Sequence, residues 1–209
     1  MNYVAGQFVA LPRITKLNEL KIRYVDILTY TALKSFNGEE GCFPSYESIA
    51  ERATCSRNFI VASIKRLERS GLINIRKNRK RVVRDRLPVN EYTFKRYDTF
   101  NAIPYEIFDI DINLYDKAML LVIQQFFYEG TIRPFYTLNR IASELGVSTK
   151  IVYQRFQSLV DLGYVTKTKQ SKRRWSYGDK YTLSNEVKWI WDSSKMNVKG
   201  IFSPFLLVA

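Results

Sequence analysis

The 209-residue sequence predicts an α+β fold, mostly α with small β-hairpins, built as two tandem copies of one unit. Three observations predict it. Two short helical patterns joined by a tight break occupy Pro44 to Ile75, and a similar stretch recurs 92 residues later. Each is then followed by a Gly and by apolar runs that flank a basic tip.

In the first copy Ser45 suits an N-cap, because its hydroxyl can accept an orphan backbone N–H of the following helix. Ile49 and Ala50 are the apolar positions of that helix, and Thr54-Cys55 makes the break. Ser56 caps a second helix whose apolar stripe is Ile60, Ile64 and Leu67, one face of a helical period. Gly71 stands where a helix needs a left-handed C-terminal residue, and Leu72-Ile73 opens an extended run. Helix, short turn, helix, Gly and strand is the layout of a helix-turn-helix, whose second helix enters the DNA major groove.

In the second copy, Thr137 to Val165, Ser45 falls on Thr137, Ile49-Ala50 on Ile141-Ala142 and Ser56 on Ser148. Ile60, Ile64 and Leu67 fall on Val152, Phe156 and Leu159, and Gly71 falls on Gly163. Phe8 to Pro12 likewise falls on Phe100 to Pro104, so the repeat covers nearly the whole chain. A period of that size indicates duplication of a fold, whereas solenoids repeat at about 20–50 residues. The expected domains are 1–97 and 98–209, the second extended by a C-terminal helix and an apolar tail.

Charge points to a polyanion. Lys+Arg 33 against Asp+Glu 20 gives +13 and a pI near 9.7, a balance that suits nucleic acid. Residues 1–97 carry net +10 and residues 98–209 net +3, so the first unit should supply more of the salt-dependent attraction. Cys42 and Cys55 lack CxxC spacing, and MNYVAGQFVALP lacks a basic-then-apolar signal segment. The expectation is a reduced, cytoplasmic protein, with no structural disulfide and no membrane span.

Taken in order, Gln7 to Leu11 reads as a strand ending at Pro12, and Lys16 to Leu20 as a connector. A helix is expected over Lys21–Phe36, closed by Asn37-Gly38. After the first helix pair, Arg76 to Arg86 carries seven basic residues and one acid between strand-like runs at Leu72–Ile75 and Val89–Phe94. A basic hairpin tip after a recognition helix is a wing, laid against phosphates where each cation displaces a counterion. Both units therefore read as winged helix-turn-helix domains. Lys95 to Thr99 reads as a short, semi-rigid link. The second unit repeats the plan, with connector Tyr105–Ile112 and a helix over Asn113–Tyr128 capped by Asn113. A shorter wing, Lys167 to Lys180, holds six basic residues. Asn185 to Lys195 reads as an extra helix, and Ile201 to Ala209 as an apolar tail that packs on its own domain or meets a partner.

The candidate DNA-binding residues follow from the wheel. Opposite Ile60, Ile64 and Leu67 lie Asn58, Ala62, Lys65, Arg66 and Arg69, with Arg57 at the N-terminus. The matching set in the second unit is Thr149, Lys150, Gln154, Gln157 and Ser158, with Tyr153 beside them. Asn and Gln suit adenine edges, and Arg or Lys suit guanine O6 and N7. The wings add Arg76, Lys77, Arg79, Lys80, Arg81 and Arg84, then Lys169, Lys172, Arg173 and Arg174.

Catalytic chemistry is not indicated. The chain has no His, which removes His-paired nucleophiles and His-ligated metals, and it has no GxxxxGK[ST] loop. Asp109 and Asp111 lack further metal ligands. The expectation is a binder without cofactor, metal, small-molecule substrate or membrane.

The strings F-x-A-I-P-x-E-I-F-D, L-Y-D-K-A, T-L-x-x-I-A-x-x-L-G-V-S and L-x-x-L-G-Y-V lie between Phe100 and Val165. Together with F-x-A-L-P, P-S-Y-E-S-I-A and I-K-R-L-E-R-S-G-L-I in the first unit, they resemble the winged helix-turn-helix domains of phage and plasmid replication initiators and replisome organisers. The resemblance implies replication initiation through origin repeats, bound as direct repeats by monomers or inverted repeats by dimers. Replication proteins, or a second copy through the tail, would be further partners. A transcriptional regulator, or an assembly protein using winged helices for protein contacts, stays open beside it.

Overall fold

A computed structural model describes residues 7–77, 90–133, 135–168 and 179–190 of the chain. These residues form six α-helices and three small antiparallel sheets.

Strand β1 (Phe8–Pro12) leads through a turn into α1 (Asp26–Lys34), buried from Asp26 to Leu33. This helix is shorter than the expected Lys21–Phe36. The Asp26 carboxylate accepts the backbone N–H of Arg23 at 2.8 Å and ties the preceding turn down outside the helix. Helices α2 (Tyr46–Ala53) and α3 (Arg57–Arg69) follow, each capped as its sequence demands. Ser45 accepts from the N–H of Ser48, and Ser56 accepts from that of Phe59. Thr54 closes α2 at φ 53° and Gly71 follows α3 at φ 73°. Strands β2 (Ile73–Lys77) and β3 (Asn90–Phe94) then pair antiparallel, Ile75 opposite Tyr92.

Strand β4 (Phe100–Pro104) and a 3-10 turn, Tyr105–Phe108, precede α4 (Leu114–Ile123), whose cap Asn113 accepts two backbone N–H groups. The helix expected over Asn113–Tyr128 does not run that far. It tightens to a 3-10 turn at Gln124–Phe126, and β5 (Phe127–Tyr128) turns back into β6 (Thr131–Ile132). Glu129 and Gly130 both have positive φ, 46° and 76°, the two-residue loop whose twist suits a hairpin. Aromatic Phe127 and Tyr128 gain cross-strand partners there that a helix would deny them.

Helices α5 (Leu138–Leu145) and α6 (Thr149–Asp161) are capped by Thr137 and Ser148 and separated by Gly146 at φ 66°. Strands β7 (Val165–Thr168) and β8 (Lys180–Leu183) complete a four-stranded sheet of order β5-β6-β8-β7. The described part of the expected Asn185–Lys195 helix is a turn followed by chain without regular secondary structure, in which the N–H of Trp189 donates to the carbonyl of Val187 at 2.8 Å, a three-residue turn. Val187 is buried and Trp189 half-buried, so the tight turn seats both against the core.

The halves are knitted together. One apolar cluster contains Leu28, Ile64 and Tyr92 along with Leu121, Phe156 and Leu183. Strand β1 pairs with β4, Phe8 opposite Pro104, Ala10 opposite Ala102 and Pro12 opposite Phe100. Residues 92 apart thus lie symmetrically about the Ala10–Ala102 pair, the arrangement a local two-fold axis produces. Each connector is seated on the other half. The N–H groups of Lys16 and Leu17 donate to the carbonyls of Glu144 and Leu145, both at 2.8 Å, satisfying the C-terminal end of α5. In return Tyr105 donates its hydroxyl to the Ser35 carbonyl at 2.9 Å. The guanidinium of Arg52, at the end of α2, lies 4.5 Å from the Phe36 ring centroid and 5.6 Å from that of Phe108.

Candidate nucleic-acid interface

Helix α3 turns Ile60, Ile64 and Leu67 inward, leaving Asn58, Lys65 and Arg69 exposed and Ala62 half-buried. Arg57 is exposed at the first turn but engaged: its Nε donates to Glu47, and its guanidinium lies 5.6 Å from the Tyr46 ring centroid. That hydrogen bond holds the Glu47 carboxyl below its ordinary pKa.

Arg66 is oriented differently from its neighbours. Its Nε and Nη2 donate to Oδ2 and Oδ1 of Asp26 at 2.8 and 2.7 Å, a bidentate pair with a carboxylate that has no exposed surface. The bond raises the Arg66 pKa further above neutrality.

Helix α6 repeats the plan with other residues. Val152, Phe156 and Leu159 face the core, and Thr149, Lys150, Tyr153, Gln154 and Gln157 are exposed. Gln157 donates to Asp161 at 2.7 Å. Ser158, which the 92-residue shift sets on Arg66, donates to Oδ2 of fully buried Asp116 at 2.7 Å, and Arg155 donates to Oδ1 at 3.1 Å. The structure therefore assembles two outward lines, Asn58/Lys65/Arg69 and Lys150/Gln154/Gln157, while the side chains of Arg66 and Ser158 turn toward α1 and α4.

Of the wing residues, Arg76 and Lys77 are exposed on β2, with Arg76 3.8 Å from Glu91. Arg79, Lys80, Arg81, Arg84, Lys169, Lys172, Arg173 and Arg174 lie outside the described residues, as does the tail Ile201–Ala209. On β7, Lys167 pairs with Asp179 at 2.7 Å.

Residues 22–73 match the model of a helix-turn-helix domain family. The match spans α1, α2 and α3 and stops as β2 begins, so the helix-turn-helix pair is α2–α3 with α1 as its supporting helix. No curated protein matches the chain.

Cys42 and Cys55 are free, and burial pushes their thiols up to about 12 and about 11, so near neutrality both are protonated. Among the described residues no three His, Cys, Asp or Glu side chains converge on a metal position. Asp109 and Asp111 are exposed in the connector, where their charge opposes the desolvation that lowers the pKa of buried Lys117. No helix among the described residues is long and apolar enough to cross a membrane. The residues that sequence reading missed are Asp26 and Asp116. Their signal was an acid in the first turn of a helix that is buried along nearly its whole length, DILTYTALK and LYDKAMLLVI.

Proposed function

We propose that the chain is a sequence-specific double-stranded DNA-binding protein that places two winged helices, residues 1–97 and 98–209, on one duplex. The observation that carries this reading is the helix-turn-helix match at residues 22–73, whose second helix turns Asn58, Lys65 and Arg69 to solvent. In support of a second reading helix, α5–α6 has the same Ser/Thr caps, a left-handed Gly between its helices and an equivalent apolar stripe. Asn58, Lys65 and Arg69 would read one half-site, and Lys150, Gln154 and Gln157 the other. The symmetric pairing of β1 with β4 favours half-sites in inverted orientation, and the unlike faces favour unlike sequences. The wing cations, Arg76 to Arg84 and Lys169 to Arg174, would lie along phosphates.

Within that reading, the chain acts as a replication initiator of phage or plasmid type, docking on origin repeats and recruiting replication proteins. Its support is the motif resemblance carried by F-x-A-[IL]-P and the two helix-pair strings. Selection of duplexes from a random pool tests the DNA reading: enrichment of two unlike, inverted half-sites is expected, and no enrichment would refute it. Mapping bound sites across the native replicon tests the initiator role. Clustered repeats beside an A·T-rich segment are expected, whereas single sites over promoters would make the chain a transcriptional regulator.

A further inference from the structure

We infer that Asp26 and Asp116 are specificity-determining positioning residues, each latching its reading helix and the first also withholding an arginine from the phosphates. The inference rests on the DNA-binding reading above. In the first half the latch is Asp26 with both arms of Arg66, which stands 40 residues away in sequence. In the second it is Asp116 with Ser158 and Arg155. Both carboxylates have no exposed surface, while Arg66 and Arg155 retain 23% and 21% of theirs. Each guanidinium therefore sits at the rim and not deep in the core.

Stability does not account for these pairs. Desolvating a carboxylate costs about as much as a buried ion pair returns, and an apolar replacement is often neutral or better. Helix α3 is already anchored by Ile60, Ile64 and Leu67, and α6 by Val152, Phe156 and Leu159. A fork between two helices adds direction: it fixes rotation of α3 about its axis, and with it the aim of Asn58 and Lys65. It also keeps Arg66 from joining Lys65 and Arg69. A free guanidinium there would seek any phosphate, adding affinity that carries no sequence information. The two halves reach the same arrangement with different partners, since Ser158 occupies the position of Arg66 and Arg155 supplies the guanidinium.

The test uses the full chain, a selected duplex and a scrambled one, with anisotropy titrations over a series of salt concentrations. Asp26→Asn should bind the scrambled duplex more tightly, up to about eightfold at 0.1 M salt, with a log K against log salt slope steeper by about 0.9. Its ratio of selected to scrambled affinity should fall. Asp26→Asn with Arg66→Gln should abolish the gain on scrambled DNA but leave discrimination impaired. A merely structural residue would instead weaken both duplexes in parallel at an unchanged slope, and that result overturns the inference. Ser158→Ala strands no charge and guards against misfolding. It should lower discrimination at one half-site with the slope unchanged, and undiminished discrimination overturns the positioning role of Asp116. If the unsubstituted chain cannot tell the duplexes apart, the functional reading falls and takes this inference with it. If it can, failure of the variants sinks the inference alone.

Discussion

Inserting 5 bp between the two half-sites should reduce affinity to that of a single half-site. The insertion turns the second groove by about half a helical turn and moves it by about 17 Å along the axis. To follow, the halves would have to part along the β1–β4 ribbon, which pairs over five residues, and withdraw Val9, Leu11 and Ile103 from the shared core. Those side chains are 3%, 3% and 0% exposed. At about 1.5–3 kcal/mol for each side chain, re-exposing them costs about 4.5–9 kcal/mol before any backbone hydrogen bond is counted. The second half-site is read by Lys150, Gln154 and Gln157, about 1–3 kcal/mol for each good base pairing, so about 3–9 kcal/mol in all. Parting also breaks the backbone hydrogen bonds of the five-residue ribbon, which makes it the dearer course, and the second helix lets go. Competition titrations should therefore show a loss of at least about a hundredfold. A full-turn insertion should rescue nothing, because the rigid pair cannot stretch by a further helical repeat. Recovery at one full turn would show the halves to be flexibly tethered and refute the reasoning, and equal affinity for every spacing would show that one half alone binds DNA.

Further expectations follow from particular residues. Neutralising Arg79, Lys80 and Arg81 together should weaken binding to every duplex alike and flatten the salt slope by about 0.9 for each phosphate left without its cation, whereas weakening confined to one sequence would mean base reading by the wing. Gly146→Ala should destabilise more than Gly163→Ala in urea unfolding. Both sit at positive φ, about 1–2 kcal/mol unfavourable for a side chain, but a Cβ at Gly146 would also displace the Asn18 side chain, whose Oδ1 lies at 1.9 Å, and press on the Asn18 backbone N at 3.2 Å, whereas one at Gly163 meets nothing within 4 Å. Equal destabilisation would mean that the connector yields without cost. Burial lowers the Lys34 amine to about 8, so between that value and its ordinary one the unfolded chain binds the extra proton. Stability should then rise with pH above about 8 relative to a Lys34→Met variant, and identical pH profiles for the two proteins would refute it.

Local physics made much of this molecule legible from its residues. Hydroxyl caps at Ser45, Ser56, Thr137 and Ser148, glycines at positive φ, and apolar stripes act within a few positions of one another, so a linear pattern encodes them. The outward lines of α3 and α6 follow from the same period. Helix length was less legible where tertiary pairing competes with propensity. Phe127-Tyr128 reads as helical until Glu129-Gly130 turns it back onto Thr131-Ile132. Interactions between distant residues left little linear trace. Symmetric pairing of β1 with β4, the exchange of connectors onto α5 and α2, and the Asp26–Arg66 and Asp116–Ser158 latches join groups about 40 to 130 residues apart. Such pairings depend on which surfaces meet when two half-cores merge. Composition and spacing encode two capped helix pairs, each followed by a pair of antiparallel strands. Only the tertiary structure decided that they share one core, and which of their cations remain turned outward.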